Sequence, residues 1–234
     1  FGLKLANLSD LVSDSGFSIF EKIVELGGVV RGFAATGCAN YSRNELQALI
    51  EFAKARGAQG LVTIALDGEA NDIKNLESDQ IRSILTKHVS LTKIKEMAIK
   101  MDAKIGDLLL IVAGQPKMVN TVLSQLRNEI GKRLGLAEPN QLAFTFVVDF
   151  PIVEWNEDEN RWDPGHHPFT MPKENDLQYL ESDPGRVKAY CYDLVVNGIE
   201  LASGSIRIHK RELQERIFAI LGYSKKQVNQ RFGH

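Results

Sequence analysis

Residues 187–209 read VKAYCYDLVVNGIELASGSIRIH. At the centre, Asn197-Gly198 separates two runs of alternating apolar and polar residues. An Asn-Gly pair in that setting marks a two-residue hairpin loop, because both central positions of the tight turn need φ > 0. The stretch therefore predicts antiparallel sheet in the last third of the chain. Taking the loop as two residues places Val196 opposite Ile199, Val195 opposite Glu200 and Asp193 opposite Ala202. Side chains alternate along a strand, so Asp193, Val195 and Glu200 share a face. Asp193 and Glu200 become diagonal neighbours, about 7–8 Å apart at the backbone.

Two carboxylates so placed can converge on one hard cation. Magnesium suits them, since it takes one or two protein carboxylates and completes its shell with water and substrate phosphates. Two solvated charges on an exposed sheet face are the other reading of the same spacing. Arg207 lies seven residues beyond Glu200. A regular strand would send it to the opposite face. A bulge near Ser203-Gly204-Ser205 adds the missing half-step and returns Arg207 to the carboxylate side, where its planar fork can grip a substrate carboxylate. Without a bulge it is an outward surface arginine.

Upstream, WDPGHHPFTMP (162–172) sets two adjacent histidines among three prolines and a glycine. Pro168 biases His167 toward extended backbone, and neighbours in an extended segment point opposite ways. His166 and His167 are then poor candidates for chelating one ion, and no Cys or third His is near in sequence. One inward imidazole, donating to an anion, is the functional reading. A proline-ordered surface loop with idle histidines is the other.

The region 142–155, LAFTFVVDFPIVEW, is rich in strand-forming aromatic and branched residues, and KRELQERIFAILG (210–222) reads as a helix stopped by Gly222. Before about Glu138 the pattern differs. Apolar runs at 28–37, 60–66 and 106–114 read as buried strands. Helices are expected at 42–57, capped by Ser42 with Glu45 completing a capping box, and at 115–135, with Pro116 in the first turn. Two more are expected at 77–88 and 91–102, with Ser78 and Ser90 as caps. The polar stretch 67–79 reads as a mobile loop. The fold class is α+β: an α/β sandwich domain followed by antiparallel sheet flanked by helices.

The 234 residues are 44% hydrophobic and 25% charged, with a formal charge of −2. That is enough apolar material for one or two cores, and it excludes binding to nucleic acid through bulk positive charge. No run of about 18 apolar residues offers a membrane span, and no signal peptide is visible. Cys38 and Cys191 form no metal or redox motif, which fits two reduced thiols in a cytoplasmic protein. The first residue is Phe1, and the last ones still read as helix, so a piece of a longer protein is expected.

With FVVDFPIVEW (146–155), HHPFTMP (166–172), AYCYDLVVNGIEL (189–201) and GSIRIH (204–209) in that order, the chain resembles the bacterial type of aspartyl-tRNA synthetase, a class II synthetase. The likeness extends over essentially the whole chain. FGLKLANLSDLV at the start resembles that family's re-entry to its catalytic sheet, so residues 1–16 are expected as a lead-in strand. Residues 17–138 resemble the domain inserted in bacterial enzymes and shared with a tRNA-dependent amidotransferase subunit. Residues 139–234 resemble part of the catalytic domain.

The resemblance implies aspartate–tRNA ligase activity: ATP-dependent formation of aspartyl-adenylate, then transfer to tRNA(Asp), with tRNA(Asn) a second candidate. It implies L-aspartate contacts at His166, His167 and Arg207, magnesium and ATP at Glu200 and Asp193, no nucleophile or base from the protein, a homodimeric parent and a cytoplasmic location. One departure concerns the hairpin. Where the family commonly has Glu-x-Gly-Gly-Gly-Ser, this chain has Glu200-Leu-Ala-Ser-Gly-Ser205, which puts the backbone's approach to the adenylate in question. The family's three class motifs and its anticodon-binding barrel are not among these residues, so the chain is expected to be inactive alone.

Two other classes compete. A non-catalytic tRNA- or protein-binding module would account for residues 17–138 but gives no reason for HHPFT and the acidic hairpin. A metal-dependent hydrolase using His166, His167, Asp193 and Glu200 would need the two imidazoles on one ion.

Overall fold

The strand Leu108–Gly114 carries the first half of the chain, and its side chains divide between two cores. Leu108, Leu110 and Val112 enter one, Leu109 and Ile111 the other. A strand apolar on both faces requires cover on both faces. The structure, a computed structural model, describes residues 2–68, 72–138 and 140–232. It divides into two units, residues 1–139 and 140–234.

In the first unit the strands are β1 (Ala6–Asn7), β2 (Val29–Ala35), β3 (Val62–Leu66), β4 (Ile81–Arg82) and β5 (Leu108–Gly114). They form one sheet in the order β1-β2-β5-β3-β4, antiparallel at every pairing. Helices α1 (Ser9–Val12), α2 (Ser18–Glu25) and, later in the chain, α4 (Leu91–Lys100) contribute buried residues to one core. Helices α3 (Arg43–Lys54) and α5 (Pro116–Arg133) cover the other face. The result is a three-layer sandwich about an antiparallel sheet.

Local chemistry sets several boundaries as expected. Ser42 accepts from the Glu45 amide while the Glu45 carboxylate accepts from the Ser42 amide, closing the capping box of α3. Ser90 accepts from the Lys93 amide at the start of α4, and Pro116 opens α5. The segment 77–88 is not a helix. It holds a 3₁₀ turn (Ser78–Gln80), β4 and a second 3₁₀ turn (Ile84–Lys87). Ile81 pairs with Leu66 at the sheet edge, and Ser83 donates to the Thr63 carbonyl at 2.7 Å. Edge pairing satisfies this backbone better than one short isolated helix could.

The polar stretch 67–79 also departs from expectation. Residues 69–71 lie outside the described residues. Of the rest, Ile73 and Leu76 are buried, and Asp72 caps a 3₁₀ turn by accepting from the Lys74 amide at 3.0 Å. Two apolar anchors in a polar run hold it down. Residues 2–16, expected as a lead-in strand, pack within the first unit. Ala6 pairs with Gly32, the Leu8 amide donates to the Val30 carbonyl at 2.8 Å, and Leu8 and Val12 are buried.

In the second unit, β6 (Phe144–Val148), β9 (Cys191–Val196) and β10 (Ile199–Ser205) form an antiparallel sheet in the order β10-β9-β6. A ribbon of β7 (Val153–Asn156) and β8 (Arg161–Pro164) stands apart from it. Helix α6 (Arg211–Ile220) packs Leu213, Ile217 and Phe218 into a core with Ile152, Met171, Leu180 and Val187, and α7 (Lys225–Phe232) follows. Asn197 and Gly198 both have positive φ, as the tight turn demands. The Asn197 side chain accepts from the Ala143 amide at 2.9 Å and donates to the Gln141 carbonyl at 3.0 Å, tying the hairpin tip to β6.

Candidate functional site

The β9–β10 register decides which side chains meet. Val196 pairs with Ile199 and Val195 with Glu200, as the two-residue loop requires. Beyond Glu200 the register shifts: Leu201 has no partner, Ala202 pairs with Leu194, and Ser203 pairs with Asp193. The expected Asp193–Ala202 pairing is therefore displaced by one residue. A bulge is present, but at Leu201 rather than at 203–205. The consequence for parity is the one Arg207 needed. Glu200, Ser203 and Ser205 stand opposite Val195, Asp193 and Cys191, so all six share a face. Continued alternation carries Arg207 to that face, and Arg207 is in turn bridged to Thr170.

The hairpin's departure from the family pattern also resolves by side. Ala202 pairs with Leu194 and faces away from the carboxylates, so only Ser203 adds a side chain on their face. Gly204 is needed for the reverse face. The Tyr192 ring lies over it, and a Cβ there would come within 2.8 Å of that ring.

The segment after Gly165 is threaded against the hairpin by backbone hydrogen bonds. Met171 donates to the Ile206 carbonyl at 2.8 Å, and Ile208 donates to the Phe169 carbonyl at 2.9 Å. Gly165 passes so close to Pro151 that a Cβ would fall 2.1 Å from its carbonyl oxygen, so only glycine fits there. From α6, Gln214 donates to the Pro168 carbonyl at 2.7 Å. The Phe169 ring meets Phe218 edge-on at 5.8 Å.

The two imidazoles are not sent to opposite sides. Their ring centroids are 4.8 Å apart. The chain bends at Gly165-His166 and turns at Pro168-Phe169 instead of running extended, which removes the premise of alternation. The rings differ in environment. His166 is exposed, whereas His167 is half-buried and bonded on both nitrogens. Its Nδ1 accepts from the Phe169 amide at 3.3 Å and lies 3.0 Å from Thr170 Oγ1; its Nε2 lies 2.9 Å from Ser205 Oγ. Burial, with the Arg207 charge and His166 adding to it, holds the His167 imidazole below the usual histidine range. His167 therefore joins the hairpin face as a ring that resists protonation.

Arg207 is exposed, with its guanidinium 5.8 Å from the Phe169 ring centre. Among the described residues it makes no ion pair, and neither do Asp193 and Glu200. Like-signed carboxylates and an arginine left without ion-pair partners on one face can serve a ligand of mixed charge. The hard oxygen donors of Asp193 and Glu200 fit magnesium with phosphate oxygens completing its shell. Among the described residues no group of three His, Cys, Asp or Glu could hold a metal by itself.

Thr170 and Ser205 were not singled out from the sequence. Thr170 is 1% exposed, and a buried hydroxyl needs a partner. Its spacing of three residues after a histidine in a proline turn was the available signal. A mainly apolar hollow of about 530 Å³ lies beside the hairpin, lined by Val148, Tyr190, Cys191, Tyr192, Gly204 and Ser205 among others. Its one carboxylate, Asp149, is paired with Lys173, which holds it below the usual range. Asp193, Glu200 and Arg207 are not part of its lining.

Cys38 and Cys191 are both free and buried, and burial raises both thiols. No helix among the described residues is long and apolar enough to cross a membrane.

The sequence matches the family described as tRNA synthetases class II (D, K and N) over residues 21–234. An aspartate–tRNA(Asp/Asn) ligase of Dehalococcoides mccartyi is 45% identical over 234 residues, all of this chain and 39% of the relative. One of Geotalea uraniireducens is 45% identical over 233 residues, 38% of its length. An aspartate–tRNA ligase of Ruminiclostridium cellulolyticum is 42% identical over 233 residues, again 38% of its length. The chain thus spans about two fifths of the length of these curated relatives.

Proposed function

The chain belongs to the class II tRNA synthetases of the D, K and N group, and from that premise we propose that it supplies the amino-acid side of an aspartate–tRNA ligase active site. The observation that carries the reading is the shared hairpin face. Arg207, Asp193 and Glu200 lie on it without an ion-pair partner among the described residues, beside His167, whose imidazole burial holds below the usual histidine range.

In this reading Arg207 grips the side-chain carboxylate of L-aspartate with its planar fork. His166 and His167 line the same pocket. Asparagine is rejected because its amide would leave the guanidinium without a charged partner. Asp193 and Glu200 would hold magnesium, and the ion would supply neutralisation of phosphate charge. The aspartate α-carboxylate attacks the ATP α-phosphate, giving aspartyl-adenylate and pyrophosphate. The terminal ribose hydroxyl of tRNA then takes the aspartyl group and AMP leaves. No protein nucleophile enters; these residues act by positioning and charge.

Residues 17–138 are read as the inserted domain of the bacterial enzymes and 139–234 as part of the catalytic domain. The cognate nucleic acid is tRNA(Asp), with tRNA(Asn) as a second substrate, in a cytoplasmic, homodimeric parent. A transition-metal hydrolase is a weaker reading: His167 has both nitrogens engaged within the protein, which leaves no lone pair for a metal. Charging of tRNA(Asp) and tRNA(Asn) by the protein at its relatives' length tests the proposal. Aspartate must be attached to tRNA(Asp) in an ATP-dependent manner; failure to charge either tRNA sinks it.

A further inference from the structure

Ser205 lies on the carboxylate face of the hairpin, opposite Cys191 and two residues before Arg207. Its Oγ is 2.9 Å from His167 Nε2, with no other hydrogen-bond partner among the described residues. The direction of that bond follows from the other side of the ring. The Phe169 amide can only donate, and it points at Nδ1. The Thr170 hydroxyl, 1% exposed, lies over the same ring, 3.0 Å from Nδ1 and 3.4 Å from Nε2, and does not itself fix a direction. The amide donor on Nδ1 requires that nitrogen to carry a lone pair. In a neutral imidazole the proton is then on Nε2, so Nε2–H donates to Ser205 Oγ.

A hydroxyl that accepts from one neighbour keeps its own proton for another. We propose that Ser205 is a substrate-positioning residue whose hydroxyl, turned outward by His167 Nε2–H, donates to the same ligand carboxylate that Arg207 grips. The Phe169 amide, His167 and Ser205 form a chain of fixed hydrogen-bond direction. His167 acts through Ser205 by setting which way its proton points. The ligand class is a carboxylate, and the inference rests on the reading of Arg207 as the side-chain carboxylate clamp.

Two measurements test it. The first is the nitrogen-15 spectrum of the His167 ring in the 234-residue chain without ligand, which reports the tautomer directly. The Nε2–H form is expected, and it should survive Ser205→Ala because the Phe169 amide remains on Nδ1. A ring protonated on Nδ1 overturns the proposal. The second is steady-state ATP–pyrophosphate exchange by the protein at its relatives' length. A lost hydrogen bond to a charged group predicts that Ser205→Ala raises KM for aspartate about tenfold or more. KM for ATP should stay within about twofold, and Ser205→Thr, which keeps the hydroxyl, should recover most of the aspartate effect. An unchanged aspartate KM, or equal rises for aspartate and ATP, overturns it. Absence of exchange in the unsubstituted protein overturns the synthetase reading and with it the role of Ser205, whatever the tautomer.

Discussion

Ser203 is the register partner of Asp193 across the hairpin, one residue later than an unbroken ladder would give. That single offset, absorbed at Leu201, keeps Glu200, Ser203, Ser205 and Arg207 on one side despite the odd spacing between Glu200 and Arg207. Deleting Leu201 should therefore leave the pairs intact and merely straighten the strand. Cross-strand proton contacts between Ser203 and Asp193 are expected to persist. Leu201 is 61% exposed, so the stability change should stay within about 1 kcal/mol. A register moved by one residue would show that the bulge is not where the extra residue resides.

Thr170→Val keeps the volume but removes a buried hydroxyl donor. The loss should be about 1 kcal/mol in urea unfolding, the net worth of one hydrogen bond. No change would mean that the Thr170–His167 contact contributes nothing to stability.

The depressed His167 titration gives stability a pH dependence of definite sign. The native ring resists protonation, whereas the unfolded ring titrates in the ordinary range. Its contribution is complete above the ordinary histidine pKa and is lost as pH falls toward the lower native value. Wild-type stability should therefore fall with acidification through that window more steeply than that of His167→Gln. Equal slopes would contradict the environment assigned to the ring.

Leu110 is fully buried on β5 and faces the layer of α3 and α5. Leu110→Ala should destabilise the first unit by about 2–5 kcal/mol. Amide exchange on β2 and β5 is the direct readout, and unchanged protection there would contradict the central place given to β5.

What could be read from the residues was mostly local. The Ser42–Glu45 box, Pro116 at a helix start and the Asn197-Gly198 turn each act within four residues, and each formed as expected. What could not be read was set by distant partners. Residues 77–88 have helical spacing, yet Ile81 is claimed by Leu66 and Ser83 by Thr63. The bulge sits at Leu201, and no property of Leu201 announces it. The histidines broke the alternation rule because Gly165 must pass under the Pro151 carbonyl, a contact invisible along the chain. For the candidate site, the sequence pointed to the charged residues. It did not show the hydroxyls of Thr170 and Ser205, which register and burial bring to His167.

The most direct test of the central claim is aspartate-dependent ATP–pyrophosphate exchange by the protein at its relatives' length, compared between wild type and Arg207→Ala. Exchange is predicted with aspartate and not with asparagine, and kcat/KM for aspartate should fall about a hundredfold or more in Arg207→Ala, the scale of losing one partner of a desolvated charge pair. Exchange that is absent, that proceeds equally well with asparagine, or that survives Arg207→Ala unchanged would contradict the assignment of this hairpin face to an aspartate site.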